Sequence, residues 1–295
     1  MLKLASNFVK STHFRQYSTT LSKMSNEEKT GVKLDDIISV LEKFAPKKLS
    51  ESWDNTGLLV EPYTPRNIKK ILLTNDLTED VALEAEQNNC ELVISYHPPI
   101  FAPLKTVVQS SWKERIVSLL LEHRISLYSP HTSWDSVKGG VNDWLASAFP
   151  FDESVPIIPG EDLDTGAGRL LRISNDFDLS KAIEEVKSLT GLKHVRLAIG
   201  KGRALSDNVN NVALCAGSGS SVLKKVAKAD LFVTGEMLHH DILDATQRGI
   251  SVILTNHSDS ERGFLCGFSS HLQNELNNKV LVLVSEYDKD PLSTV

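Results

Sequence analysis

Short apolar runs alternate with stretches of helical period along this chain, and several of the runs break off at clusters of polar side chains. Residues 70–74, 92–95 and 125–128 have the length and apolar character of strands, while 79–88, 112–123 and 141–149 carry apolar side chains at helical spacing. Strands separated by helices need crossover connections, so the pattern specifies an α/β lobe rather than a sandwich or a bundle. Ahead of it, Leu34, Ile37, Ile38, Leu41 and Phe44 recur at three and four, which predicts a helix ending by Pro46. Trp53 to Gly57 is turn chemistry, and 58–60 a short strand.

Residues 151–168 are rich in Pro, Gly and Asp and lack a period, which predicts a linker or long loop. A second series follows, with strands at 169–173, 194–199, 211–215, 231–234, 252–255 and 280–284. Helices are expected at 180–188, 221–229, 238–248 and 260–275. The expected architecture is therefore α/β, with an N-terminal lobe over 25–150, a C-terminal lobe over 169–295, and 34–295 together forming one fold. No residue-level repeat relates the lobes.

In α/β sheets ligands collect beyond the carboxyl ends of strands, where loops converge. Tyr96-His97-Pro98-Pro99 follows the strand at 92–95, and His131-Thr132-Ser133-Trp134-Asp135 follows 125–128. His257, with Glu261 four positions on, follows 252–255, and Glu236 with His239 and His240 follows 231–234. Imidazole nitrogens and carboxylate oxygens suit zinc, manganese or iron, and a shared carboxylate can bridge two ions. His97, Asp135, His257 and Glu261 are thus candidate ligands for one or two divalent ions, possible only if they converge. Each has a plainer reading: His131 could cap a turn through Asp135, and Glu261 could serve a helix dipole. Glu236, His239 and His240 are candidates for groups beside the metal or proton carriers, although His240 and Asp241 could simply face solvent. Gly217-Ser218-Gly219, between a strand and the next helix, could cradle a phosphate on backbone amides, though it lacks the lysine of a phosphate loop.

Composition narrows the field. A formal charge of -6 argues against a protein that grips bare nucleic acid, since such proteins usually carry a concentrated basic face. No apolar run approaches the roughly 20 residues of a membrane-spanning helix. Cys90, Cys215 and Cys266 are far apart and flanked by apolar residues, which predicts buried thiols rather than disulfides or a thiolate zinc cluster. The first two dozen residues differ from the rest: Lys3, Lys10, Arg15 and Lys23 precede the first acidic residue, Glu27, among Ser, Thr and helically spaced apolar residues. Residues 1–24 read as a mitochondrial transit peptide, with Arg15-Gln16-Tyr17-Ser18 resembling a cleavage site after Tyr17, or else as a disordered basic tail. Met24 offers a second start that would leave the protein in the cytoplasm.

The motif set resembles the Nif-three-like family, often labelled GTP cyclohydrolase I type 2 by similarity. The carriers are Glu51-Ser52-Trp53-Asp54-Asn55-Thr56-Gly57, Tyr96-His97-Pro98-Pro99-Ile100-Phe101, Pro130-His131-Thr132-Ser133-Trp134-Asp135 with Gly139-Gly140-Val141-Asn142, Gly217-Ser218-Gly219, and His257 to Gly263. The resemblance implies a two-metal centre between the lobes, on His97, Asp135, His257 and Glu261. It also implies a homo-oligomer, a hexameric ring of three dimers. Where bacterial members pair two histidines, this chain has Tyr96, a poorer ligand at neutral pH because a phenol ionises near 10; one ion is then held weakly, or the site holds one ion only.

Two functions follow as expectations. The first is a metal-dependent hydrolase acting on a nucleotide or related phosphate, in which the metal lowers the pKa of water, His131 or His240 moves protons, and the loop at Gly217 seats a phosphate. The second is a metal-stabilised oligomeric scaffold working through transcription-related protein partners, as the family name suggests. Isolated mitochondria are expected to take up the full-length chain and trim it near Tyr17, and to leave outside a chain begun at Met24.

Overall fold

The computed structural model describes residues 29–162 and 164–293; the proposed transit peptide lies outside them. Its strands are β1 (Gly57–Val60), β2 (Lys70–Thr74), β3 (Leu92–Ser95), β4 (Ser126–Ser129), β5 (Glu153–Val155), β6 (Ile158–Pro159), β7 (Gly166–Ala167), β8 (Arg169–Arg172), β9 (Arg196–Ala198), β10 (Asn211–Cys215), β11 (Leu231–Thr234), β12 (Ser251–Leu254) and β13 (Leu281–Val284). One sheet runs β1-β4-β3-β2-β13 and the other β5-β8-β10-β11-β12-β9. β2, β3, β4 and β13 are parallel, with β1 antiparallel at one edge. In the second sheet β10, β11 and β12 are parallel, and β8 and β9 flank them antiparallel. This is the expected α/β architecture with a sheet in each half.

Alternation along each strand divides the core. Ile71 and Leu73 face the space between the sheets, which they share with Val212, Leu214, Val233 and Ile253. Leu72, Val93 and Leu127 face the other way, onto the helices at Glu79–Gln87 and Trp112–Glu122. Period-two alternation thus lets one strand serve two layers. Trp134 sits in the shared core, 1% exposed, with its ring 4.2 Å from Phe268 and 5.4 Å from Phe264. Arg169 is buried there too. Its guanidinium donates to Asp143, to the carbonyls of Gly166 and Gly168, and to that of Val137, so a buried charge is both paired and hydrogen-bonded, as burial requires.

Several details differ from the sequence expectation. Residues 151–168 are not structureless: β5 extends the second sheet, and β6 pairs with β7. The strand expected to end the second series, β13, instead returns to the first sheet beside β2. The helix expected at 221–229 is helical only over Ser220–Leu223, after which Lys225 and Val226 form the tighter bonds of turns. A five-residue helix, Thr132–Ser136, was not foreseen; it is too short to show a period. Nor does a helix begin at Ser260. A single turn spans Ser258–Ser260, and the helix starts at Phe264. Ser260 donates its hydroxyl to the His257 carbonyl, a local bond that favours a turn. Of the three cysteines Cys90 is buried and Cys215 half-buried, but Cys266 is exposed on the outer side of its helix.

No helix among the described residues is long and apolar enough to cross a membrane. Replacing Trp134 by Ala is expected to cost about 3–5 kcal/mol of stability, as for other buried aromatics, and Trp134→Phe much less; urea denaturation of the two variants checks the difference.

Candidate metal centre

His97 leaves the carboxyl end of β3, and His257 and Glu261 follow β12. The two sheets therefore deliver their polar ends to one place. His97, His257 and Glu261 each present a ligand atom, all within 4.8 Å of one another. Nε2 of His97 lies 3.5 Å from one oxygen of Glu261, and Nε2 of His257 lies 3.4 Å from the other. Glu261 is 3% exposed. Burial, and then the neighbouring Asp135 charge, push its carboxyl well above the ordinary range.

Each imidazole is held from behind. Nδ1 of His97 meets Asp76 at 2.9 Å, and Nδ1 of His257 meets Glu236 at 2.8 Å. A carboxylate on Nδ1 selects the tautomer that leaves Nε2 as a lone-pair donor, the arrangement typical of metal-bound histidine. Burial opposes ionisation of Asp76, but the contact with His97, the Asn75 side chain and the Arg262 charge together outweigh it and hold the carboxyl below its usual range. His131 repeats the pattern, with Nδ1 2.8 Å from Asp54 and its ring 5.3 Å from that of His97. Burial likewise opposes ionisation of Asp54, and bonds from His131 and Thr132 overcome it.

Local backbone geometry serves these contacts. His131 has φ 37° and Asn256 φ 69°. Asn tolerates this region well, but at His131 it is strained, at an order-of-magnitude cost of about 1–3 kcal/mol. At Gly217, φ is +62°, and a Cβ would fall 2.3 Å from a Glu261 oxygen and 3.1 Å from Nε2 of His257. Only glycine leaves that space open.

The residue set suits a cation. A buried carboxylate is costly without compensation, and Glu261 faces imidazoles and the side-chain amide of Asn75, at 3.0 Å, rather than a Lys or Arg. Buried Asn75 also leaves its Oδ1 without a hydrogen-bond partner. Asp135 lies beside the three-residue group, not within it. One of its oxygens accepts the Tyr96 hydroxyl at 2.6 Å, and burial raises its pKa. Burial also drives the Tyr96 phenol well above 10, so it acts as a hydrogen-bond donor here.

The remaining candidates are placed differently. The amide of Gly217 donates to Ser260, and that of Gly219 to Thr234; both are spent inside the fold rather than aimed at a phosphate, while Ser218 is exposed. Gly217 instead forms the floor of the ligand group. His240 is exposed, packs its ring on His239, and is absent from the wall of the cavity at the site. Glu236 reaches the site as a partner of His257. Asp76 escaped sequence reading, although Asn75-Asp76 follows an apolar strand just as the other clusters do. Asp288 was also missed: it accepts the Asn75 amide at 2.7 Å from a C-terminal stretch with no periodic signal.

Comparison with known proteins identifies the family to which this fold belongs. Residues 32–291 match the family described as Duf34/NIF3 (NGG1p interacting factor 3). NIF3-like protein 1 of Drosophila melanogaster is 49% identical over 269 residues, covering 90% of each chain, and NGG1-interacting factor 3 of Saccharomyces cerevisiae is 37% identical, covering 90% of this chain and 98% of its own. Among solved structures, reduced HcgD from Methanocaldococcus jannaschii superposes with a TM-score of 0.72 at 29% identity, over 87% of this chain and 98% of its own. With these matches over nearly its whole described length, the chain belongs to the Duf34/NIF3 family.

Proposed function

We propose that this protein is a metal-dependent hydrolase of small nucleotide-like or phosphorylated molecules, built around a divalent ion on His97, His257 and Glu261. The observation that carries the reading is the buried Glu261 carboxylate between two Nε2 atoms, each imidazole backed by its own carboxylate. A zinc, manganese or iron ion there would supply Lewis acidity toward a substrate oxygen and acidify a water molecule. Asp76 and Glu236 keep the ligand rings in register. His131, oriented by Asp54 and adjacent to His97, is placed to carry protons; exposed His240 has no such position. Tyr96 occupies one oxygen of Asp135, which favours a single ion over a pair bridged by that carboxylate.

A second reading rests on the surface. Trp53, Phe101, Val107, Val108 and Trp112 are exposed large apolar side chains, and the yeast relative is named for interaction with a protein. We propose that such a surface serves self-association or protein partners, with the metal as a structural pin. A mitochondrial pool, directed by residues 1–24, is part of the same proposal.

Elemental analysis of the purified full chain is expected to find a divalent metal. Asp76→Ala or Glu236→Ala should weaken its retention by roughly 10–100-fold, and Glu261→Gln should abolish it. Turnover on a nucleotide and phosphoester panel should vanish with chelator and in Glu261→Gln. A metal-loaded protein silent across the panel would instead support the scaffold.

A further inference from the structure

A cavity of about 570 Å³ opens beside His97 and His257, within the range of small-molecule sites. Its carboxylates are already engaged. Asp76 is bound by His97, Glu236 by His257, and Asp290 by the amide and hydroxyl of Ser258. Arg196 is the remaining charged side chain of the wall. It is exposed and forms no hydrogen bond or ion pair with the described residues.

The position of Arg196 is set by the sheet. On β9 it pairs with Leu254 of β12, and Leu254 lines the same cavity. Three residues beyond Leu254 the same chain delivers His257. A guanidinium on this ladder is thus tied to one of the ligand residues through a short stretch of paired backbone. Met237, Leu254 and Leu292 give the cavity an apolar side. The wall therefore combines two imidazoles, three carboxylates held by protein hydrogen bonds, an apolar surface, and one planar cation without a partner among the described residues.

We propose that Arg196 is the residue that selects substrates for this cavity, by taking an oxyanion at the end of the molecule away from the imidazoles. The ligand class is a small molecule with an apolar or flat body, seated against Met237 and Leu254, and a phosphate or carboxylate terminus. A guanidinium suits either group, because its parallel N–H bonds match two oxygens at once. The proposal gives the hydrolase reading its substrate class and rests on that reading for the reaction. The binding preference itself depends only on Arg196 and the cavity.

Calorimetry on the full chain, both metal-loaded and stripped with chelator, separates these contributions. The probes are adenosine, adenosine 5′-monophosphate and the adenosine 5′-carboxylate. The protein should bind at least one of the two anions about tenfold or more tighter than adenosine, the size of a single charge-assisted hydrogen bond. Which anion gains more identifies the terminus. Arg196→Ala should erase the preference in loaded and stripped protein alike, Arg196→Lys should keep part of it, and metal content should stay unchanged in both. An equal preference in Arg196→Ala, or none in the unaltered protein, overturns the assignment. A protein that shows this Arg196-dependent preference but turns over no phosphoester would refute the hydrolase and leave the anion site standing.

Discussion

Glu261 is the constraint on which the molecule turns. Burial disfavours its charged form, and the polar groups that partly offset this come from both sheets at once. His97 rides on the end of β3, His257 on the end of β12, and Asn75 on the end of β2. A shift of any one of these elements removes one of the contacts to Glu261. The glycine at 217, the left-handed backbone at His131 and Asn256, and the carboxylates behind the imidazoles are all adjustments that let three strand ends meet. Cost is concentrated at the centre, while Trp134, Arg169 and the aromatic cluster around Phe268 hold the surroundings rigid.

Much of this was legible in the sequence because it rests on period and position. The strands at 70–74, 92–95, 211–215 and 231–234 coincide with those observed, since a short buried apolar run bounded by turn residues has few other uses. That His97, His257 and Glu261 each lie beyond a strand end was legible from the rule that loops after parallel strands share one end of a sheet; that the ends of two separate sheets meet was implied only by the family resemblance. What stayed hidden was pairing over distance. Nothing in the local pattern at 280–284 tells that the strand leaves the second sheet for the first, because one apolar layer looks like another from within a strand. The partners on Nδ1 were hidden for the same reason: Asp76 and Asp54 are ordinary turn acids until the fold sets an imidazole opposite them. The Gly217 loop misled because a glycine that makes room for a neighbouring side chain looks, in sequence, like one that frees an amide for a ligand.

The C-terminal stretch deepens the link between halves. Asp288 accepts the amide of Asn75 and pairs with Arg262, while Asp290 binds Ser258. These contacts fall on residues flanking the ligand group, so the segment works as a clasp across it. The same Asp290, with Pro291 and Leu292, forms one wall of the cavity. Ligand group and cavity are thus built from both halves of the described chain.

The return of β13 to the first sheet has a further consequence for how the protein comes into being. On the ribosome, β2 emerges long before the strand that must lie against it, and until then one flank of a parallel sheet stays open. Contacts of such long sequence separation form slowly and leave a nascent chain prone to sticking. Completion of that sheet is therefore tied to completion of the candidate ligand group, since the segment that closes the former leads directly into the clasp over the latter. The surroundings of His97, His257 and Glu261 are therefore complete only once residues as far as Asp290 have been made.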